Sequence, residues 1–309
     1  MTAQEKIASL CGMIADALRP VITGDYWLLE VPYYSNVGDS LVWQGEMDFL
    51  RGIPFKCKGM HSMWTFSFPR LEEDDVILLQ GGGNFGDVWP GPNDFRMEVV
   101  KRYPRNRIVL FPQSVEFEKD SALQDTVECF NTHKKLTVCV RDRHSYELLK
   151  GRLTCDLLLL PDMAFCMDLS AWNVRRQPEV DRLFLVRDDK EFKPNDRLLE
   201  ANRELDIVSD WPTMLPDDRI AWACGQCFLF SRFFKGPVDF LARSIYRPHI
   251  IRAGISFESR AAKIFSTRLH GAILGLLLGK KVVLFDNSYG KNRRFYETWL
   301  SDCEDVELR

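Results

Sequence analysis

The sequence predicts an α/β protein with two doubly wound domains facing each other across a cleft. Three observations carry that reading. Short apolar runs alternate with helical patterns at intervals of roughly 25 residues, the mark of βαβ units and a largely parallel sheet. The alternation breaks at a polar stretch, 168–181 (DLSAWNVRRQPEVD), and then resumes as a second series. The length, 309 residues, suits two domains, since ~100–150 residues is the commonest domain size. The domains are therefore expected over 1–168 and 169–309.

The elements follow in chain order. In residues 1–20, Ile7, Leu10, Ile14 and Leu18 keep helical spacing up to Pro20. Glu5, Lys6 and Asp16 interrupt the apolar stretch that a signal peptide would need. Strands are expected at 26–31, 53–58, 76–80, 107–111, 136–140 and 155–160, with helices between most of them, including 40–51 and 143–151. In the second series, 182–189 and 205–211 read as strands and 234–252 as a long helical region. Strands follow at 262–267 and 281–286. A last helix, 292–300, is expected to pack back on the first domain. The apolar run 271–279 has nine residues, far short of the ~20 that span a bilayer.

Composition narrows the function classes. Hydrophobic residues are 46% and charged residues 28%, which suits a globular protein with a real core. A net charge of −3 argues against a general nucleic-acid binder. Nine cysteines, odd in number and scattered, suit reduced cytosolic thiols. Cys224 and Cys227 are the one close pair, and no two further ligands stand near enough in sequence for a zinc site. No metal is expected, and the chain reads as soluble and cytoplasmic.

Polar or glycine-rich signals recur where strands should end. After the first strand comes YYSNVGDSLVWQG. Asn36 and Gly38 allow a tight turn, and Asp39 or Ser40 suits a helix cap. That leaves two readings for Asp39, a plain cap or an acid–base carboxylate beside an anion-binding helix mouth. After the third strand, LLQGGGNFGD brings Gly82, Gly83 and Asn84. The glycines either turn the chain or let the backbone approach a ligand closely. FPQS places Gln113 and Ser114 at the same edge, and VRDRHSYELL places Arg141 there, as an anion contact or as the partner of an acid.

The corner STRLHGAILGLLLGKK carries Arg268 and His270. Residues two apart share one side of an extended segment, so both should face the same way. Arg offers a fork for phosphate or carboxylate, and His can hold a proton near neutrality. The alternative is a satisfied structural histidine. Lys291, just after Gly290, is placed to reach the cleft. Trp89 and Trp211 are candidates for stacking on a sugar, with Trp89 favoured because it follows the glycine run.

Taken in order, NVGDSLVWQG, LLQGGGNFGD, FPQS, VRDRHSYELL, LLPDMAF and STRLHGAILGLLLGKKVVLFDNSYGKN resemble the polysaccharide pyruvyltransferase family. The resemblance implies a GT-B-like pair of Rossmann-like domains. It implies transfer of a pyruvyl group from phosphoenolpyruvate to two sugar hydroxyls, as a ketal, with release of phosphate. Asp39, Arg141, Arg268 and His270 match the family's catalytic positions. Asn36, Gly38, Gly82, Gly83, Asn84, Gln113, Ser114 and Lys291 are expected to bind substrate. No cofactor is implied. The partners implied are phosphoenolpyruvate and a glycan acceptor, including one carried on a lipid at the inner membrane. Two rivals share these features: a GT-B nucleotide-sugar glycosyltransferase, and an inactive sugar- or anion-binding relative.

Overall fold

The computed structural model describes residues 1–175, 177–189, 191, 206–215, 217–288 and 290–309. Residues 176 and 205, at which the expected connection and one expected strand partly fall, lie outside them. Two sheets form, and every strand pair among the described residues is parallel.

The first sheet has seven strands: β1 (Tyr26–Leu29), β2 (Cys57–His61), β3 (Val76–Leu79), β4 (Gly82–Gly86), β5 (Arg107–Glu116), β6 (Leu136–Val140) and β7 (Asp156–Leu159). Their order is β2-β1-β3-β5-β6-β7, with β4 beside β5. The helices of this half are α1 (Ala3–Leu18), α2 (Val37–Leu50), α3 (Pro92–Arg102), α4 (Asp120–Asn131) and α5 (Arg143–Leu149). Two expectations change here. The strand expected at 53–58 starts only at Cys57, because α2 runs to Leu50 and a turn follows. The glycine run is a strand, β4, rather than a loop.

The second sheet has β8 (Val180–Leu185), β9 (Ile207–Ser209), β10 (Ala261–Ser266), β11 (Lys281–Leu284) and β12 (Val306–Leu308), in the order β12-β11-β10-β8-β9. Its helices are α6 (Arg219–Phe228), α7 (Lys235–Leu241), α8 (Arg247–Ser259), α9 (Leu269–Leu277) and α10 (Lys291–Phe295). The expected long helical region is α7, a π-helical stretch (Ala242–Tyr246) and α8 in succession. A second π-helical stretch, Tyr296–Leu300, continues α10. Helix α6 and strand β12 were not foreseen.

Strand alternation sorts the apolar side chains by face. On β3, Val76 and Leu78 join one core, whereas Ile77 and Leu79 join another under α3 and α4. The first of these cores continues without a break into the second sheet, through Trp43 and Leu41 of α2 to Ile255 of α8, Ile264 of β10 and Leu274 of α9. A small cluster, Phe184, Phe265, Val283 and Phe285, covers the other face of the second sheet. Among the described residues no helix is long and apolar enough to cross a membrane.

Each sheet reverses its winding once. In the first, β1 lies between β2 and β3; in the second, β8 lies between β9 and β10. Ligands of doubly wound sheets bind outside the carboxyl ends of the strands at such switch points. The segments there are 30–36 and 80–84 in one half, and 186–189 and 267–270 in the other.

Candidate active site

A cavity of about 420 Å³ lies where those segments meet. Asn36, Gly38, Asp39, Gly83, Asn84 and Arg141 line it from the first half, and Arg268, His270 and Lys291 from the second. Gly82, Gln113 and Ser114 are not on its wall. Gln113 is fully buried, accepts from the Asn84 backbone N–H (3.2 Å) and donates to the Gln80 carbonyl (2.8 Å). Ser114 Oγ accepts from Arg141 Nε (3.0 Å) and donates to Asp142 (2.8 Å). Both therefore brace the wall from behind. Gly82 adopts φ +134°, which only glycine takes without strain, and so starts β4 beside Asp39.

Helix α2 is capped by Asn36, which accepts from Gly38 N (2.9 Å). The cap is thus neither Asp39 nor Ser40. Asn36 also donates to the Asp39 carboxylate (2.8 Å), which stays on the cavity wall in the helix's first turn. Gly38 is a close-approach glycine: a Cβ there would lie 2.5 Å from His270 Nδ1. The imidazole therefore rests directly on the mouth of α2.

The corner after β10 is wired by short polar links. Ser266 Oγ accepts from Arg268 N (3.0 Å), and Arg187 N donates to Thr267 Oγ1 (2.9 Å). Asn292 donates to the carbonyls of Thr267 and Phe285 (3.0 and 2.7 Å). Arg268 is the N-cap residue of α9, and His270 is in its first turn.

The cations are already paired. Arg268 holds Asp210 through Nε (2.5 Å) and Nη2 (2.6 Å), and Nη2 also reaches Asp189 (3.2 Å). Arg141 is buried, and pairs with buried Asp162 through Nη1. Lys291 Nζ donates to the Gly83 carbonyl (3.0 Å) and lies 3.5 Å from Glu191. Arg187 is tied to Asp189 and Glu191. On the wall itself Arg141, Arg187, Arg268 and Lys291 face Glu30, Asp39, Asp189 and Glu191, four of each sign. The expected free clamps are thus charge-balanced in place.

Each key guanidinium nevertheless keeps one terminal nitrogen in hand. Arg141 uses Nε and Nη1, and Arg268 uses Nε and Nη2. Among the described residues, Arg141 Nη2 and Arg268 Nη1 have no hydrogen-bond partner. His270 Nε2 lies 3.3 Å from both Arg141 Nη1 and Asp162 Oδ2. It accepts from the arginine in one tautomer and donates to the carboxylate in the other. Burial alone would raise the Asp162 carboxyl; His270 and Arg141 outweigh it and hold that group well below the usual range. Burial lowers the Lys291 ammonium despite Glu191.

Several wall residues, Glu30, Arg187, Asp189 and Glu191 among them, have no counterpart in the sequence reading. Glu30, just past β1, adopts φ +70° and is buried against Arg96, which grips it through Nε (2.8 Å) and Nη2 (2.6 Å). Arg96 also donates to the Asn84 side chain (2.5 Å). Burial, only partly offset by Arg96, pushes the Glu30 carboxyl up to about 7. Positive φ is uncommon for a non-glycine residue, and such positions cluster at active sites. Trp89 and Trp211 both line the cavity, Trp211 fully buried and Trp89 half-buried, and exposed Trp64 joins them at the rim.

A family model for polysaccharide pyruvyl transferase matches residues 36–289. The chain belongs to the polysaccharide pyruvyl transferase family. A Bacillus subtilis relative, EpsO, named as a putative pyruvyl transferase, is 31% identical over 100% of this chain and 94% of its own. Pyruvyl transferase 1 of Schizosaccharomyces pombe is 27% identical over 89% of this chain and 70% of its own. The crystal structure of an uncharacterized Klebsiella pneumoniae protein has the same fold, with a TM-score of 0.65 at 18% identity, covering 97% of this chain and 98% of that one. Membership makes the chain a pyruvyl transferase by class.

Proposed function

We propose that this pyruvyl transferase takes its pyruvyl group from phosphoenolpyruvate and sets it on two hydroxyls of a sugar in a cell-surface polysaccharide or its precursor. The observation that carries the reading is the pair of spare donors, Arg141 Nη2 and Arg268 Nη1, on guanidiniums locked in place by Asp162 and Asp210. Preorganised donors bind an anion without reorganising, and arginine forks suit phosphate and carboxylate. Lys291 adds a third cation.

The chemistry balances as follows. One sugar hydroxyl gives its proton to a base as its oxygen bonds to the enol carbon, while an acid delivers a proton to the methylene carbon, which becomes a methyl group. The second sugar oxygen then bonds to the same carbon, the bond from that carbon to the phosphate oxygen breaks and releases phosphate, and the second hydroxyl proton leaves to a base. His270 and Asp39 share these proton transfers, and neither is assigned to one step. No step demands a nucleotide, flavin or metal. In this reading the two sheets act as the halves of a GT-B-like pair divided near residue 168, and the enzyme works in the cytoplasm.

Two measurements test it. Phosphoenolpyruvate should raise the melting temperature, whereas stabilisation by UDP or GDP alone would favour a nucleotide-sugar enzyme. His270→Ala should cut phosphate release with an acceptor glycan by ~10²–10⁴-fold with the circular dichroism unchanged. Full activity in a folded His270→Ala protein would remove the histidine from the mechanism.

A further inference from the structure

Helices α6 and α7 and the turn joining them carry apolar side chains that nothing in the fold covers. Phe233 is 75% exposed, Leu229 73% and Trp222 65%, and Phe230, Phe234 and Phe240 are each more than half exposed. Scattered exposed apolar residues are ordinary, but a contiguous cluster of this kind marks an interaction surface. Side chains this exposed at the tip of a helix–turn–helix project outward rather than line a groove.

The charges around the cluster are mostly basic: Asp217 and Asp218 stand at the start of α6, where Asp218 caps the helix and contacts His249. Arg219, Arg232 and Arg243 are exposed, and Lys235 stands at the start of α7. The one acid between residues 219 and 247 is Asp239, which is buried and bonded to Tyr33 (2.6 Å) and His61 (2.7 Å). A chain of net charge −3 thus gathers a locally basic face around its most exposed aromatics. Aromatic and leucine side chains rimmed by Lys and Arg are the composition of segments that lie in a membrane interface.

The patch is also continuous with the cavity. Met214, just ahead of α6, is exposed and lines the cavity, as are Trp64 and Tyr34. The Tyr33 ring stacks on Phe228 of α6 at 5.1 Å, and the Tyr246 hydroxyl lies 3.2 Å from Ser35 Oγ. The loop that carries the cavity wall from β1 to α2 therefore rests against these helices.

We propose that the α6–α7 tip docks the enzyme onto an anionic lipid bilayer and holds the cavity mouth toward the membrane surface. The aromatic tip enters the headgroup region while Arg219, Arg232, Lys235 and Arg243 meet anionic headgroups. This locates the proposed reaction but does not depend on its donor. Vesicle binding is read without turnover, so failed binding and a failed phosphoenolpyruvate reading are separate results.

The test is co-sedimentation with phosphatidylglycerol–phosphatidylethanolamine vesicles against phosphatidylcholine vesicles. The full chain should bind the anionic vesicles at least ~10-fold better, and salt should weaken the binding. Phe230→Ser/Phe233→Ser/Phe234→Ser should abolish binding, and Arg232→Glu/Arg243→Glu should remove the preference for phosphatidylglycerol. Should the triple variant fail to fold, brominated lipids give the same answer on the native chain: they should quench its tryptophan emission, and Trp222→Phe should lose most of that quenching. Equal sedimentation with and without vesicles overturns the proposal. So does a discrete dimer in analytical ultracentrifugation that the triple substitution dissolves, which would assign the patch to a second copy of the chain.

Discussion

Asp162 and Glu30 are both buried beside an arginine, yet their carboxyls shift in opposite directions. Asp162 meets Arg141 and His270 together and is held low; Glu30 meets Arg96 alone, and burial wins. The two therefore act on stability with opposite signs. The Asp162 contribution is full above its ordinary value of 3.8 and is lost as pH falls below it. Glu30 keeps its proton in the folded chain up to about 7, whereas the unfolded chain releases it near 4.5. Ionising it thus takes stability away as pH rises through that window. Denaturant unfolding of Asp162→Asn should show a shallower loss below pH 4 than the native chain, and Glu30→Gln a shallower decline between pH 5 and 7. Glu30→Gln should also move the limb of the pH–rate profile near 7; an unmoved limb would leave Glu30 a brace for Arg96 and Asn84.

The N-terminus of α2 and the corner before α9 meet through a single glycine. A Cβ on residue 38 has no room while the His270 ring stays where it is. Gly38→Ala should therefore displace the imidazole and lower kcat by ~10²-fold, as misplacement by about 1 Å commonly does, with secondary structure kept. Native activity in Gly38→Ala would show that the ring position does not matter. Most elements on this path were legible beforehand. Apolar strands of 4–5 residues and the helical pattern of α5 have local signatures, whereas α2 starts three residues before the expected position because Asn36 caps it. Strand β4 has no such signature, because GGGNFG has little intrinsic β preference and is held by its pairing along β5. Helix α6 was not read from the sequence, although its apolar residues keep helical spacing. At the site, Arg141, Arg268 and His270 were legible as a set, but their partners were not. Asp162, Asp189 and Asp210 are brought to them by the fold across 21, 79 and 58 residues, beyond the reach of spacing rules. Glu30 looked like one more strand residue because its backbone conformation, not its type, sets it apart.

The unbroken core makes the two sheets one body. Trp43, Ile255 and Leu274 belong to a single apolar cluster, and polar straps cross between the halves beside it. Trp299 Nε1 donates to the Arg141 carbonyl (2.8 Å), and Arg294 pairs with Glu116 (2.9 Å). Both straps come from α10 and the π-helical stretch that follows it; such insertions commonly sit at functional sites. Separating the halves would expose this core to water. Calorimetry should therefore show one cooperative transition, and Leu274→Ala should weaken all of it by about 2–5 kcal/mol. Two resolved transitions, with only the later one shifted, would mean that the halves melt independently.

The matched charges on the cavity wall bear on how turnover ends. In the proposed reaction a strongly basic pocket would hold inorganic phosphate after the ketal had formed and would fill with ambient anions between cycles. Here each cation has a resident carboxylate to return to. In the proposed reaction the departing phosphate would be replaced by groups already in place, and selectivity would rest on the geometry of two spare guanidinium nitrogens rather than on bulk attraction for negative charge.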